Sequence, residues 1–345
     1  MLNSNIVSGH TTPRDPIISA CRCPHVQFAI SIASNGRILD HDRLDPQQRD
    51  GSIFGLGSCD AKGQVATIYL VLAALRELNV PLGGELITHL VVEEEVGGNG
   101  AIAMARCGER ADGCIVLEPT DLKILTSIRG SVWFRIKLRG KAGHAGTPGK
   151  SRSAVDMAIR VVEILKAYHD RLLSASRGDP LFDRHADPMP LTVGKLHAGH
   201  WPATAAAEAV LECVQGLLPP RTARQVAAEI TAAVRDQGGP DIADNFDIHF
   251  MFRHDPSVIA VDHPLVAGLV AAARDAGSPG EIDAMTASCD ACFYNNRLEI
   301  PTLVFGGGSL GVAHSAGEHM PLAELAKAAE ILLATALQWC GTRRK

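Results

Sequence analysis

The sequence predicts an α/β protein: a mostly parallel sheet, into which a second unit of split βαβ (ferredoxin-like) type is inserted. Three observations carry this. Two apolar runs that read as buried strands, Leu86 to Val92 and Gly113 to Leu117, end in acids, at Glu93-Glu94-Glu95 and at Glu118, with helix-like segments between them. Alternating strands and helices make a parallel sheet, whose ligand site lies along the carboxyl edge of its strands. From about residue 130 the order changes to strand, helix, strand, strand, helix, strand, and beyond His254 the α/β rhythm returns. The predicted division is one domain built from 1–129 and 254–345, interrupted by a second, 130–253.

Residues 1 to about 50 show no sustained periodicity, and only Val26 to Ile32 reads as a strand. From Gly51, a glycine-rich loop (Gly55, Gly57, Gly63) brackets Asp60. Gln64 to Asn79 predicts a helix with Ala66, Tyr69, Leu70, Leu72 and Leu75 on one face. Gly83-Gly84 closes that helix and opens the strand Leu86 to Val92. After the acidic turn, Ala101 to Ala105 is a short helix and Gly113 to Leu117 the next strand. In the insert, Val132 to Leu138 alternates as a half-exposed strand and Ala154 to Tyr168 is an amphipathic helix. Leu191 to Leu196 and Ala209 to Leu217 are strands, Arg221 to Val234 is a helix set between Pro219-Pro220 and Gly238-Gly239, and Ile248 to Phe252 is a strand. A helix from His263 to Ala276, a strand Thr302 to Phe305 and a helix Leu322 to Leu337 complete the pattern.

A chain of 345 residues exceeds what one core supports, which is the physical reason to expect two domains. Hydrophobic content of 46%, charged content of 21% and a mean hydropathy of +0.08 are those of a soluble globular protein. A net charge of −5 leaves no basic stripe, which argues against nucleic acid or an anionic membrane as partner. No apolar stretch has the length of a membrane span. The N-terminus lacks the basic and then apolar order of a signal peptide, so a cytoplasmic location is expected. The nine cysteines are odd in number and scattered, and Cys114, Cys213 and Cys340 fall inside predicted elements. They read as reduced, buried thiols, and Cys21-Arg22-Cys23 has neither the spacing nor the second pair of a structural zinc site.

Asp60, Glu94, Glu95 and Glu118 thus fall at the ends or loops of neighbouring parallel elements. Adjacent carboxylates repel one another unless a cation or a proton relieves them. His314, beyond the strand Thr302 to Phe305 and the loop Gly306-Gly307-Gly308, brings an imidazole to the same edge. Carboxylate oxygens with an imidazole suit zinc, with manganese or cobalt also possible. A second glutamate beside a liganding one can serve as the base that activates water.

These residues lie in ordered blocks: Gly55-Leu56-Gly57-Ser58-Cys59-Asp60-Ala61-Lys62-Gly63, Glu93-Glu94-Glu95-Val96-Gly97-Gly98-Asn99-Gly100-Ala101, and Leu117-Glu118-Pro119-Thr120. Further along come Gly140-Lys141-Ala142-Gly143-His144-Ala145-Gly146 with Pro148, Ile300-Pro301-Thr302, and Ala313-His314-Ser315 with Glu318. From about Gly51 to the C-terminus the chain resembles the acetylornithine deacetylase and succinyl-diaminopimelate desuccinylase family of zinc amidohydrolases, which includes aminoacylases and glutamate carboxypeptidases. The resemblance implies that the insert is a lid and dimerisation domain. It implies that Asp60 bridges two metals, that Glu95 and His314 complete one of them, and that Glu118 binds the other. Glu94 is then the general base that takes a proton from the attacking water and delivers it to the leaving amine. His144, on the lid, is implied to stabilise the oxyanion in the site of the other protomer of a homodimer.

The chain departs from the family pattern in two places. The family's His-x-Asp motif, upstream of the bridging aspartate, is not found. His25-Val26-Gln27 lies at about the expected distance, but Gln27 stands where the aspartate belongs and cannot supply a negative partner. The family's initial helical region is also shortened. The expected site is therefore one tight zinc at Asp60, Glu95 and His314, and a weaker second position with Asp60, Glu118 and at best His25. Where family members carry an arginine near the end of a lid strand to read a substrate carboxylate, this chain has Gln215-Gly216. The expected activity is hydrolysis of the amide bond of an N-acylated amino acid or related small amine. A dipeptidase or carboxypeptidase of the same fold is the enzymatic alternative, and a non-catalytic, ligand-binding descendant the alternative of another class.

Overall fold

The computed structural model describes residues 44–108, 110–144, 146 and 149–343, and the backbone of 25–32. Its elements are, in order, β1 (His25–Ile32), β2 (Gln47–Arg49), β3 (Ser52–Phe54), α1 (Gly63–Glu77), β4 (Glu85–Val92), α2 (Asn99–Cys107), β5 (Gly113–Val116), β6 (Ile124–Ile128) and β7 (Gly130–Arg139). They continue with α3 (Ala154–Ala175), β8 (Leu191–Ala198), β9 (Glu208–Leu217), α4 (Ala223–Gln237), α5 (Pro240–Ala243), β10 (Phe246–His254) and β11 (Ser257–Val258). The last are α6 (Pro264–Asp275), β12 (Ile282–Met285), α7 (Ala291–Leu298), β13 (Thr302–Val304), β14 (His319–Pro321) and α8 (Leu322–Cys340).

The larger sheet has seven strands in the order β11-β6-β13-β5-β1-β4, with β12 also paired to β6. Strands β4, β1, β5 and β13 run parallel, so the turns after β4, β5 and β13 emerge at one edge. Alternate side chains of these strands feed two cores. Ile115, Leu117, Leu303 and Phe305 pack with Ile68 and Val71 of α1 and with apolar residues of α6 and α8. Val91, Cys114, Val116 and Val304 pack instead with Ala101 of α2 and with Phe293, Tyr294 and Leu298 of α7. Both faces are thus covered, which explains why β5 is buried at every position.

The second sheet, β10-β7-β9-β8, is antiparallel throughout. Val132, Phe134, Ile136 and Leu138 of β7 face α3 and α4 in one continuous core, while the opposite face carries Arg135, Glu212 and Lys195 as ion pairs. This is the split βαβ arrangement that the sequence predicts, with helix ends fixed by caps: Ser153 accepts from Asp156 N, and Thr222 with Gln225 forms a capping box.

Two features differ from expectation. The buried face of α1 is Gly63, Gln64, Thr67, Ile68 and Val71, whereas Tyr69 is 67% exposed and Leu70 and Leu72 are about 40% exposed. Apolar side chains surround this helix, so periodicity does not decide its inner face; its packing against α8 does. The short strands β6, β11 and β12 and the eight-residue α7 are not anticipated either. Ile124-Leu125-Thr126-Ser127-Ile128 is buried without alternation, and α7 carries Asn295, Asn296 and Arg297 in a single short stretch.

The loop between α3 and β8 is clamped to the larger sheet through Asp283 of β12. Its carboxylate, 4% exposed, lies 3.0 Å from Lys123 Nζ, 3.5 Å from His185 Nε2 and 3.8 Å from Arg184 Nη1, and Arg184 also donates to Ile282 O. Burial pushes the acid's pKa up, but the hydrogen bonds from Lys123 and Ala284 N and the surrounding cations outweigh burial and hold it below the ordinary value. A depressed folded pKa contributes stability above the unfolded value, near 3.9, that is lost as pH falls through the folded one. Asp283→Asn is therefore expected to lower stability at pH 7 by about 1–3 kcal/mol. It is also expected to flatten the acid limb of the stability curve below about pH 4, read by urea unfolding across pH.

Candidate active site and metal centre

Three loops bring Asp60, the Glu94–Glu95 pair and His314 together at the carboxyl edge of the parallel strands, beside Glu118 at the end of β5. The first precedes α1: Gly57 adopts φ +73°, a left-handed conformation suited to glycine, and the chain turns through Ser58–Lys62 with Asp60 in an extended conformation that interrupts the turn. The second follows β4. Glu93 is left-handed at φ +65°, Glu94–Val96 forms one helical turn, and Gly97 and Gly98 return the chain into α2. The third leads from β13 through Gly306-Gly307-Gly308 to His314, itself left-handed at φ +57°. Non-glycine residues in that region are uncommon and cluster at functional turns.

In this frame Asp60, Glu95 and His314 offer ligand atoms that all lie within 4.8 Å of one another. His314 Nε2 is 2.6 Å from Glu95 Oε1 and 3.1 Å from Asp60 Oδ2, with the two acids mostly shielded and the imidazole open to solvent. Hydrogen bonds that the imidazole donates to the Asp60 and Glu95 carboxylates raise the His314 pKa to about 10 against the cost of burial. Glu94 retains some exposed surface, but its carboxyl group is enclosed. Burial, followed by the charges of Asp290, Glu95 and Asp60, pushes it well above the ordinary carboxylate range. Glu118 is 5% exposed and is raised in the same way, by burial first and then by Asp60, Glu94, Asp290 and Glu95. A dication fits this arrangement: two carboxylate oxygens and an imidazole converge, and further acids behind them resist ionisation without a counter-charge. The thiols of Cys59 and Cys289 are not in this group: burial pushes Cys59 up to about 12, where its Sγ donates to Ser309 O, and raises Cys289 well above the ordinary thiol value.

Buried polar bonds hold the loops. Gln64, fully buried, donates to Gly307 O at 2.7 Å. Thr120 Oγ1 accepts from Gly306 N at 3.0 Å and donates to Lys123 O at 2.7 Å, and Glu324 accepts from Gly308 N at 2.8 Å. Glu93 points away and accepts from Asn99 Nδ2 at 2.8 Å, as a bystander to the cluster.

Glu94, Glu95, Asp60, Glu118 and His314 are therefore gathered in one place. His144 is not among them: it is exposed, on the loop after β7, with Nδ1 accepting from Gly146 N at 3.0 Å. The side chain of His25 lies outside the described residues. Its backbone pairs with Glu85 at the start of β4, while Ile32 pairs with Val92 beside the acidic turn. That register sets His25 at the opposite end of the strand, roughly 23 Å from the edge where the acids emerge, which argues against a ligand role. Gln215 is fully buried and donates to Met189 O and Gly216 O, a packing role within the insert. Sequence reasoning missed Asp290, 2% exposed, which starts α7 and lies beside Glu94 and Glu118. A signal was present in an acid placed just before Ala291-Cys292-Phe293-Tyr294, a common way to open a helix.

Comparison with known proteins agrees with this geometry. The model of peptidase family M20/M25/M40 matches residues 39–338. An N-formyl-4-amino-5-aminomethyl-2-methylpyrimidine deformylase of Bacillus subtilis (strain 168) is 26% identical over 331 residues, covering 88% of this chain and 76% of its own length. An acetylornithine deacetylase of Myxococcus xanthus is 28% identical over 311 residues, with the same two coverages of 88% and 76%. Among solved structures, the dipeptidase Dug1p of Saccharomyces cerevisiae superposes with a TM-score of 0.77 at 12% identity, over 97% of this chain and 86% of that one. A tripeptidase of Staphylococcus aureus gives a TM-score of 0.73 at 19% identity, over 94% and 83%.

The acidic turn depends on glycine at 98. A Cβ there lies 2.2 Å from the Phe293 ring and 2.4 Å from Asp290 Oδ1, on a backbone at φ +72°. Gly108, at φ +78°, has nothing within 4 Å of its Cβ position. Gly108→Ala should cost only the left-handed strain, about 1–2 kcal/mol, whereas Gly98→Ala should add an overpacking penalty of about 1–3 kcal/mol. Paired denaturant titrations measure the difference, and equal losses contradict it.

Proposed function

The chain belongs to peptidase family M20/M25/M40, and from that membership we propose that it is a zinc-dependent deacylase, which cleaves the amide bond of an N-acylated amino acid or related small amine. It is a metal-dependent hydrolase of amide or peptide bonds. The observation that carries the finer reading is the convergence of Asp60, Glu95 and His314 within 4.8 Å, with the enclosed Glu94 beside them. Two relatives that cover most of this chain are named for removing an acyl group from nitrogen, one a formyl and one an acetyl group, which supports N-acyl substrates over peptides.

Asp60, Glu95 and His314 would hold zinc, or cobalt or manganese in its place, and the ion would supply Lewis-acid chemistry for the scissile carbonyl and the attacking water. The residues of the chain do the rest. Glu94 takes the proton of the attacking water on its enclosed carboxylate and delivers it to the leaving nitrogen. Glu118 and Asp60 offer a second, weaker cation position. We assign 1–129 with 254–345 as the catalytic domain and 130–253 as the lid. His144 donates to the developing oxyanion in the other protomer of a lid-mediated homodimer. Geometry supports this exchange: β7 has ten residues and runs for about 30 Å away from the acidic turn before the chain reaches His144. At the lid edge, β8 is the terminal strand of its sheet, with Leu196 and the α3 residue Ile159 exposed. Among the described residues no helix is long and apolar enough to cross a membrane. The seven described cysteines are all free and accord with the reducing cytoplasm, which is the proposed location.

Glu94→Gln should reduce kcat for N-formyl and N-acetyl amino acids by roughly 10²–10⁴-fold while bound zinc is retained. Turnover comparable to the parent rules out Glu94 as the base, and hydrolysis of dipeptides alone in the same panel turns the assignment to a dipeptidase. Metal-depleted protein should take up one tight equivalent of zinc, lost in His314→Ala. Two equally tight equivalents contradict the one-site reading.

A further inference from the structure

We infer that Glu318 is a positioning residue, which fixes the Asp60 loop against the His314 loop and so sets the metal-binding geometry; the inference rests on the metal site proposed above. Glu318 is 2% exposed and just precedes β14, four residues beyond His314. Its carboxylate reaches the other ligand loop, more than 250 residues away in the chain. Oε2 accepts from Gly57 N at 3.0 Å, and Oε1 accepts from Cys59 N and from Asp60 N, each at 3.1 Å. Backbone bonds reinforce the junction: Gly55 N donates to Glu318 O at 3.3 Å, and Glu318 N donates to Ser315 O at 3.3 Å, immediately after the ligand histidine.

Three amide donors converging on one buried carboxylate form a charge-assisted clamp, stronger than neutral hydrogen bonds and intolerant of a missing acceptor. The amide of Asp60 is one of the three, so the clamp fixes the backbone from which the ligand carboxylate projects. That carboxylate then meets His314 Nε2 at 3.1 Å. Without the clamp, the turn that carries Asp60 keeps its place in the sheet edge through β3 and β14, which pair at Phe54 and His319, but loses the restraint on the ligand itself. Such outer partners characteristically hold metal ligands in orientation.

Glu318→Gln keeps the size of the side chain but removes its charge and replaces one of the two acceptor oxygens with an NH2 donor that faces backbone N–H groups. Glu324→Gln is the control, because Glu324 clamps the glycine loop through Gly308 N and does not touch the Asp60 turn. Cobalt(II) binding to the metal-depleted protein, followed by its visible absorption, reads the site without reference to turnover. Glu318→Gln is expected to weaken cobalt binding about 10–100-fold and to alter the cobalt spectrum, while Glu324→Gln leaves both as in the parent. Folded Glu318→Gln with parental affinity and spectrum overturns the inference, as does an equal loss in Glu324→Gln. If Glu318→Gln does not fold, Glu318→Asp, one methylene shorter with its charge kept, is measured with the same expectations and the same overturning result. Failure of the metal-site reading itself is distinguishable: the parent protein then binds cobalt no better than Asp60→Asn does.

Discussion

The constraint on which the rest of the structure depends is the crowding of like charge where β4 and β5 end. Asp60, Glu94, Glu95, Glu118 and Asp290 act on one another, and for Glu94 and Glu118 burial alone already disfavours the ionised form. At an effective dielectric near 20, a pair of carboxylates about 5 Å apart costs roughly 3 kcal/mol, so such a group persists only with protons or cations in its midst. The His314 imidazole sits between two of the acids, and its raised proton affinity reports the same pressure from the other side. Protons on Glu94, Glu118 and His314 relieve this crowding in part, and a cation among the acids would relieve it further, which is what makes the cluster suited to a metal ion.

The fold holds these charges by committing backbone amides and buried polar side chains to the loops rather than to the acids alone. Parallel strands put three turns at one edge, and strict alternation along β5 and β13 leaves both faces of the sheet packed, so those turns cannot shift sideways. Gln64 and Glu318 then tie the Asp60 turn to the segments around the glycine loop and His314, while Thr120 and Glu324 anchor the glycine loop to the end of β5 and to α8. Each stitch joins separate segments of the chain, and each acceptor or donor left over in its absence is buried, at a cost of about 1–3 kcal/mol.

Much of this was legible in the sequence because it follows from periodicity and from where acids interrupt it. The alternation of the insert survives almost residue for residue in β7 and β9, and the acidic ends of β4 and β5 mark the working edge, although β1 lies between them in the sheet. What stayed illegible is set by tertiary packing. The inner face of α1 is chosen by α8, and β6, β12 and α7 are too short to show a period. Asp290 was hidden for that reason, since its place depends on an unread strand and an unread helix. His25 shows the converse, in that spacing along the chain suggested a ligand, whereas the strand register that decides its position is a property of the folded sheet.

Consecutive glutamates at a sheet edge pose a further physical question, namely how Glu94 and Glu95 can take the different parts proposed for them. On a continued strand their side chains would point to opposite faces, and one would be lost to the core. Left-handed Glu93 breaks the strand, and the single helical turn Glu94–Val96 beyond it rotates successive side chains by about 120°. Glu95 is thereby carried outward to His314 and Asp60, while Glu94 turns inward toward Asp290. Two chemically identical acids, adjacent in the chain, acquire different environments from one backbone torsion. The outer one, set against an imidazole, suits a ligand. The inner one, enclosed beside Asp290, suits the base proposed for it, and the left-handed residue before them is what separates the two environments.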